Sequence, residues 1–191
     1  LELCCNNEDD NNIDSTFSNE TFPFTTMRFI NFQGIESPVM CLRLTFVGET
    51  GFELHVENKN AKPIYNLIKT RGANHGIKDA GYRSIDSLSA EKNYRHWHSD
   101  LSNKDTPMEA GIGFTASMDV NFIGRDALLK RHKNGLQRKL ICLTLNDGTI
   151  PLHGVETIWR EDVCMGIVKS TAFGHTIGKS IVYGYVDLDT L

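Results

Sequence analysis

The sequence lacks any apolar run approaching the roughly 20 residues that a membrane-spanning helix requires. Its first ten residues, Leu1 to Asp10, carry neither the basic segment nor the apolar segment of a targeting leader. Leu1 in place of Met is read as an internal start. Positive charge is not in excess: 20 Lys and Arg stand against 24 Asp and Glu, a formal net charge of −4. No chain-wide field therefore favours nucleic acid or anionic lipid, and neither partner is expected. Cysteine is sparse. The five present, Cys4, Cys5, Cys41, Cys142 and Cys164, include no C-x-x-C, so spacing implies neither a disulfide framework nor a zinc ribbon, and a reducing compartment fits. The sequon Asn19-Glu20-Thr21 stands without any other sign of secretion.

What is present is an ordinary globular composition, 40% hydrophobic and 23% charged over 191 residues, enough for one large or two small cores. Residues 1–20 include the polar run from Asn6 to Asn12 and are expected to be disordered tail or loop. From Met40 the pattern becomes strand-like. Leu42, Leu44 and Phe46 alternate with polar or small residues, as do Phe52, Leu54 and Val56 beyond the connection Val47-Gly48-Glu49-Thr50-Gly51. This predicts a hairpin with one apolar face. If Phe46 pairs with Phe52, Thr45 faces Glu53 and Arg43 faces His55 on the polar face.

A helix is predicted from about Ala61, capped by Asn60, with Pro63 in its first turn, Ile64, Leu67 and Ile68 as its stripe, and Gly72 at its end. A second spans about Ala80 to Lys92, with Tyr82, Ile85, Leu88 and Glu91 on one stripe. Short β-like runs follow at Ile112–Met118, Leu140–Leu145, Thr157–Trp159, Val163–Lys169 and Ser180–Val186, with a helix at about Arg125–His132. The fold class is α+β: a mixed domain over 21–118, then a mostly β module over 119–191.

Three constellations carry possible chemistry. Gly111-Ile-Gly113-Phe-Thr-Ala116 matches a dinucleotide pattern, but its sequel alternates like a strand and offers no helix amino terminus to a pyrophosphate, so a turn into a strand is the better reading. In an extended His96-Trp97-His98-Ser99-Asp100, two imidazoles and a carboxylate would share one side. The third ligand of a catalytic zinc is missing nearby, so no metal is expected, and the other reading is hydrogen-bonding histidines after a helix end. Glu53 on a polar sheet face could accept two parallel hydrogen bonds from a pterin's N–H and amino groups, or pair diagonally with Arg43 as an ordinary surface ion pair. Glu91 could be a buried functional acid or an anchor for a neighbouring backbone N–H.

Four blocks taken in order resemble the aminomethyltransferase (glycine-cleavage T-protein) superfamily. They are Phe46-Val-Gly-Glu-Thr-Gly-Phe-Glu53-Leu-His, the stretch Ala80 to Leu101, Asp105-Thr-Pro-Met-Glu-Ala-Gly-Ile-Gly-Phe114 and Phe122-Ile-Gly-Arg-Asp-Ala-Leu128. Within it, Tyr94-Arg-His-Trp-His-Ser-Asp100 is most similar to the sarcosine dehydrogenases. The resemblance implies a partial folate-binding α/β sandwich over 21–118 and a truncated antiparallel β-barrel over 119–191. It places Glu53 at the pterin-binding glutamate and Phe46 at an aromatic position ending the preceding strand.

It further implies tetrahydrofolate as the bound cofactor, FAD only in a missing domain of the parent protein, no catalytic residue within this chain, and a mitochondrial matrix location. The alternatives it leaves are a glycine-cleavage aminomethyltransferase and a non-catalytic pyruvate dehydrogenase phosphatase regulatory subunit. Where T-proteins read Ala-Arg-Asp-Ser-Leu-Arg-Leu-Glu, this chain reads Ser84-Ile85-Asp86-Ser87-Leu88-Ser89-Ala90-Glu91, without either arginine. Arg83 does not replace the one at position 85, because two helical positions separate side chains by about 200°. An open barrel edge ending at Leu191 is expected to favour association.

Overall fold

A computed structural model describes residues 1, 4, 5, 17–148 and 150–188. They form two compact units, Leu1–Gly81 and Tyr82–Leu191. Of the expected tail, residues 2, 3 and 6–16 lie outside the described residues. Cys4 and Cys5 are instead buried, and Cys5 makes an antiparallel bridge with Phe32.

In the first unit, strands β1 (Met27–Ile30), β2 (Val39–Leu42) and β3 (Glu53–His55) form an antiparallel sheet in that order. Helix α1 (Asn58–Gly72) follows. Its stripe of Ile64, Leu67 and Ile68 packs with Cys4, Phe32, Val39, Leu54 and Val56 as one core. Burying each such large side chain contributes about 1.5–3 kcal/mol. The helix begins ahead of the predicted start. Asn60 donates its side-chain amide to Ser37 Oγ at 3.1 Å instead of capping, and the first turn closes through Asn60 N–H to Glu57 O. Pro63 therefore lies beyond the first turn.

The β2–β3 register corrects the predicted hairpin. Leu42 faces Glu53, Cys41 faces Leu54 and Met40 faces His55. β2 stops at Leu42, and residues 43–52 form a loop in place of continued strand. The apolar face is therefore Val39, Cys41 and Leu54, because the core of this unit sits on that side. Gly51 shows why the loop turns where it does: a Cβ there would lie 2.9 Å from Thr45 Cβ.

In the second unit, α2 (Arg83–Glu91) and α3 (Arg125–Lys133) precede an antiparallel sheet of β4 (Arg138–Thr144), β5 (Thr157–Arg160), β6 (Val163–Gly174) and β7 (Lys179–Asp187), ordered β4-β7-β6-β5. Central β7 is buried along nearly its whole length. Ile181, Tyr183 and Tyr185 pack with Leu140, Ala90, Leu101 and Ala172. The β5–β6 ladder shifts register between Ile158 and Trp159, and β6–β7 between Val168 and Ser170. Such bulges coil a sheet as barrel walls require. The predicted strand at Ile112–Met118 is not formed. Gly111 takes φ +72°, and i→i+3 bonds from Thr115 and Ala116 wind a short 3₁₀ turn at Gly113–Thr115.

Candidate functional site

Glu53 opens β3 on the face opposite the first unit's core, sharing it with Met40, Leu42 and His55 by strand alternation. Its side chain is 44% exposed, and among the described residues its one ionic neighbour is His55, with Nε2 3.6 Å from Oε2. That is longer than a hydrogen bond, so the carboxylate's acceptor positions remain open. The alternative pairing with Arg43 does not occur. The Arg43 guanidinium is buried and otherwise engaged, donating to Gly51 O at 3.1 Å and Asn19 Oδ1 at 2.6 Å. Phe46 stands in the loop that leads to Glu53, 64% exposed. A half-open carboxylate and an exposed aromatic ring on one loop–strand segment can recognise a flat, hydrogen-bond-donating ring.

The other sequence candidates resolve into structural parts of the second unit. Glu91 accepts the backbone N–H of Thr176 at 2.7 Å and of Ile177 at 3.3 Å, anchoring the β6–β7 turn to the end of α2. Hydrogen bonding by Thr176 holds its carboxyl below the usual range. The His96–Asp100 segment is a turn, not the extended run assumed from sequence. His98 takes φ +76° and donates its N–H to Leu101 O at 2.8 Å. Asp100, buried, accepts the main-chain N–H of His96 at 2.7 Å and the hydroxyl of Ser170.

Ser89 Oγ lies 2.8 Å from His96 Nε2, yet this is no nucleophilic triad. Ser89 is buried and donates to Asp86 O, and Asp100 meets the histidine's backbone, not its ring. Among the described residues no group of three or more His, Cys, Asp or Glu is arranged to hold a metal ion.

Two features of the structure have no counterpart among the sequence candidates. One is Arg43 as a buried cation. The other is a buried ionic network. Glu109, fully inaccessible, pairs with Arg131 at 2.7 Å and Arg138 Nε at 3.7 Å, and Arg138 also reaches Asp105 at 2.7 Å. Burial would raise the Glu109 carboxyl, but the Thr106 N–H and Arg131 outweigh it and hold it below the usual range. The signal was legible. Thr106-Pro-Met-Glu109 is a capping-box pattern, and the reciprocal bonds form, Thr106 N–H to Glu109 Oε2 at 2.9 Å and Glu109 N–H to Thr106 Oγ1 at 3.3 Å.

Two family models match: the GCVT N-terminal domain over residues 11–120 and the glycine cleavage T-protein C-terminal barrel domain over 138–191. Among curated relatives, the mitochondrial sarcosine dehydrogenase of Mus musculus is 47% identical, covering 91% of this chain and 19% of its own length. The mitochondrial dimethylglycine dehydrogenase of Mus musculus is 31% identical over 88% of this chain and 19% of its own. An aminomethyltransferase of Caldanaerobacter subterraneus subsp. tengcongensis is 36% identical over 78% of this chain and 40% of its own. The chain thus spans about a fifth of the two dehydrogenases' length. The glycine cleavage system aminomethyltransferase T from Bartonella henselae superposes with a TM-score of 0.69 at 21% identity, over 79% of this chain and 42% of that one. At that identity it shows a shared fold.

Proposed function

As a member of the glycine cleavage T-protein family, matched by both of that family's domain models, this chain is, we propose, the tetrahydrofolate-binding portion of a sarcosine dehydrogenase-type enzyme. The observation that carries the reading is Glu53, a carboxylate on the non-core face of β3 whose one ionic neighbour among the described residues is 3.6 Å away. Its two oxygens accept the pterin's ring N–H and amino hydrogens, fixing the ring in one orientation. Phe46 offers its exposed ring to the pterin's edge or face. Tetrahydrofolate, when bound, supplies the nitrogen that captures a one-carbon unit. The chain's own contribution is positioning and electrostatics, with no catalytic residue of its own.

The relatives favour sarcosine as the parent substrate, since identity is 47% to a sarcosine dehydrogenase and 31% to a dimethylglycine dehydrogenase. Ile85 and Ser89, standing where T-proteins carry arginines, weigh against a glycine-cleavage aminomethyltransferase. Oxidation at FAD is assigned to the remainder of such a protein, and the location proposed is the mitochondrial matrix, the names of these dehydrogenase relatives supporting the mitochondrion.

Anaerobic titration of tetrahydrofolate into the purified chain tests the reading. One-to-one saturable binding without flavin absorbance is expected. Absence of binding, or a stoichiometric yellow cofactor, contradicts it.

A further inference from the structure

Arg43 directly follows Leu42, the cross-strand partner of Glu53. The residue is 5% exposed, and among the described residues its buried Nε has no hydrogen-bond partner and no acid pairs with it. Taking a guanidinium out of water is unfavourable unless its contacts offset the lost hydration, so what it touches defines its use.

That use is visible in what the residue ties together. Its main chain is fixed on both sides, Arg43 N–H donating to Thr26 O at 2.9 Å and Arg43 O accepting Thr25 N–H at 3.0 Å. Its guanidinium donates from Nη1 to Gly51 O at 3.1 Å and lies over the Phe52 ring, 4.8 Å from the centroid. Phe52 in turn packs on Phe17 and Phe22 at 5.3 and 5.5 Å between ring centroids. One residue therefore holds both ends of the loop that carries Phe46 and delivers Glu53. No residue from 44 to 52 is itself buried, so the loop has no core of its own to fix its shape.

We propose that Arg43 is a positioning residue for pterin recognition, clamping Gly51 and Phe52 so that the next residue, Glu53, leaves the loop at the angle the ring requires. This rests on the folate reading above. The role needs a planar fork: two donors with separate targets and a flat face for Phe52. A lysine ammonium supplies the charge without that geometry.

The test is a double-mutant cycle on the full chain, with tetrahydrofolate titrated calorimetrically into the wild type, Glu53→Gln, Arg43→Lys and the double variant. Amide exchange in α1 reports whether the fold is intact. Each single variant is expected to weaken binding about ten-fold, and the double about as much as one single, since misplacing an acceptor matters only while the acceptor is there. Exchange at residues 51–53 rises in Arg43→Lys while α1 stays protected.

If Glu53→Gln leaves affinity unchanged, the folate reading falls and this inference with it. If Glu53→Gln weakens binding but Arg43→Lys does not, or the two losses multiply, the folate reading stands and the positioning role is overturned. Should Arg43→Lys fail to fold, Phe52→Leu, which removes the ring under the guanidinium and keeps apolar bulk, enters the same cycle under the same criteria.

Discussion

Glu53 and His55 project from the same face of β3, with Oε2 and Nε2 3.6 Å apart and both side chains about half exposed. At that separation and exposure the pair adds little to stability. His55→Ala is expected to change unfolding free energy by less than about 0.5 kcal/mol in urea melts. Tetrahydrofolate affinity should be retained, because the acceptor atoms belong to Glu53.

The Glu109 network is the opposite case. Glu109→Ala removes the reciprocal cap on Thr106 and leaves Arg131 without its buried acid, while Arg138 keeps only Asp105 of its two carboxylate partners. A destabilisation of about 3 kcal/mol is expected by chemical denaturation. Since both arginines keep some exposure, charge-preserving Glu109→Asp should recover part of the loss.

Tyr183 donates its hydroxyl to Ala90 O at 2.9 Å, joining β7 to α2 inside the second unit's core. Tyr183→Phe keeps the ring and deletes this bond. About 1 kcal/mol of stability should be lost, read as a lowered urea midpoint at unchanged slope.

Glu156 supplies a pH dependence with a definite sign. Its carboxylate accepts the backbone N–H groups of His153, Gly154 and Val155. The bond from His153 leads in lowering its pKa from 4.5 to about 2. A depressed carboxyl favours the folded state above its unfolded pKa and loses that contribution as pH falls through the folded value. The stability advantage of the wild type over Glu156→Gln should be full above about pH 4.5 and gone near pH 2. A difference between the two that does not vary with pH would contradict this.

The elements with long apolar periodicity are legible in the sequence itself. α1 follows from Ile64, Leu67 and Ile68, and β7 from the run Ile181 to Val186. What sequence could not supply was register and the ends of strands. Alternation at Leu42, Leu44 and Phe46 extended β2 too far, because the buried Arg43 and the close approach of Gly51 to Thr45 end pairing at Leu42, tertiary facts that no local pattern carries. Ile112–Met118 misled for a related reason: Gly111 at positive φ and the Thr106–Glu109 box wind the chain into turns despite its alternation. Glu53 lies on the face opposite Leu54, as alternation within β3 implies, but the polar face expected for it is not formed, because Met40 and Leu42 share it. The ladder sets Leu42 where Thr45 was expected.

Calorimetric comparison of the wild-type chain with Glu53→Gln, tetrahydrofolate as the titrant, tests the central claim most directly. Exchanging one acceptor oxygen for an amide that donates toward the pterin's own donors should weaken binding ten-fold or more, about 1.4 kcal/mol. Equal affinity for the two proteins would contradict the assignment of Glu53 as the residue that holds the pterin.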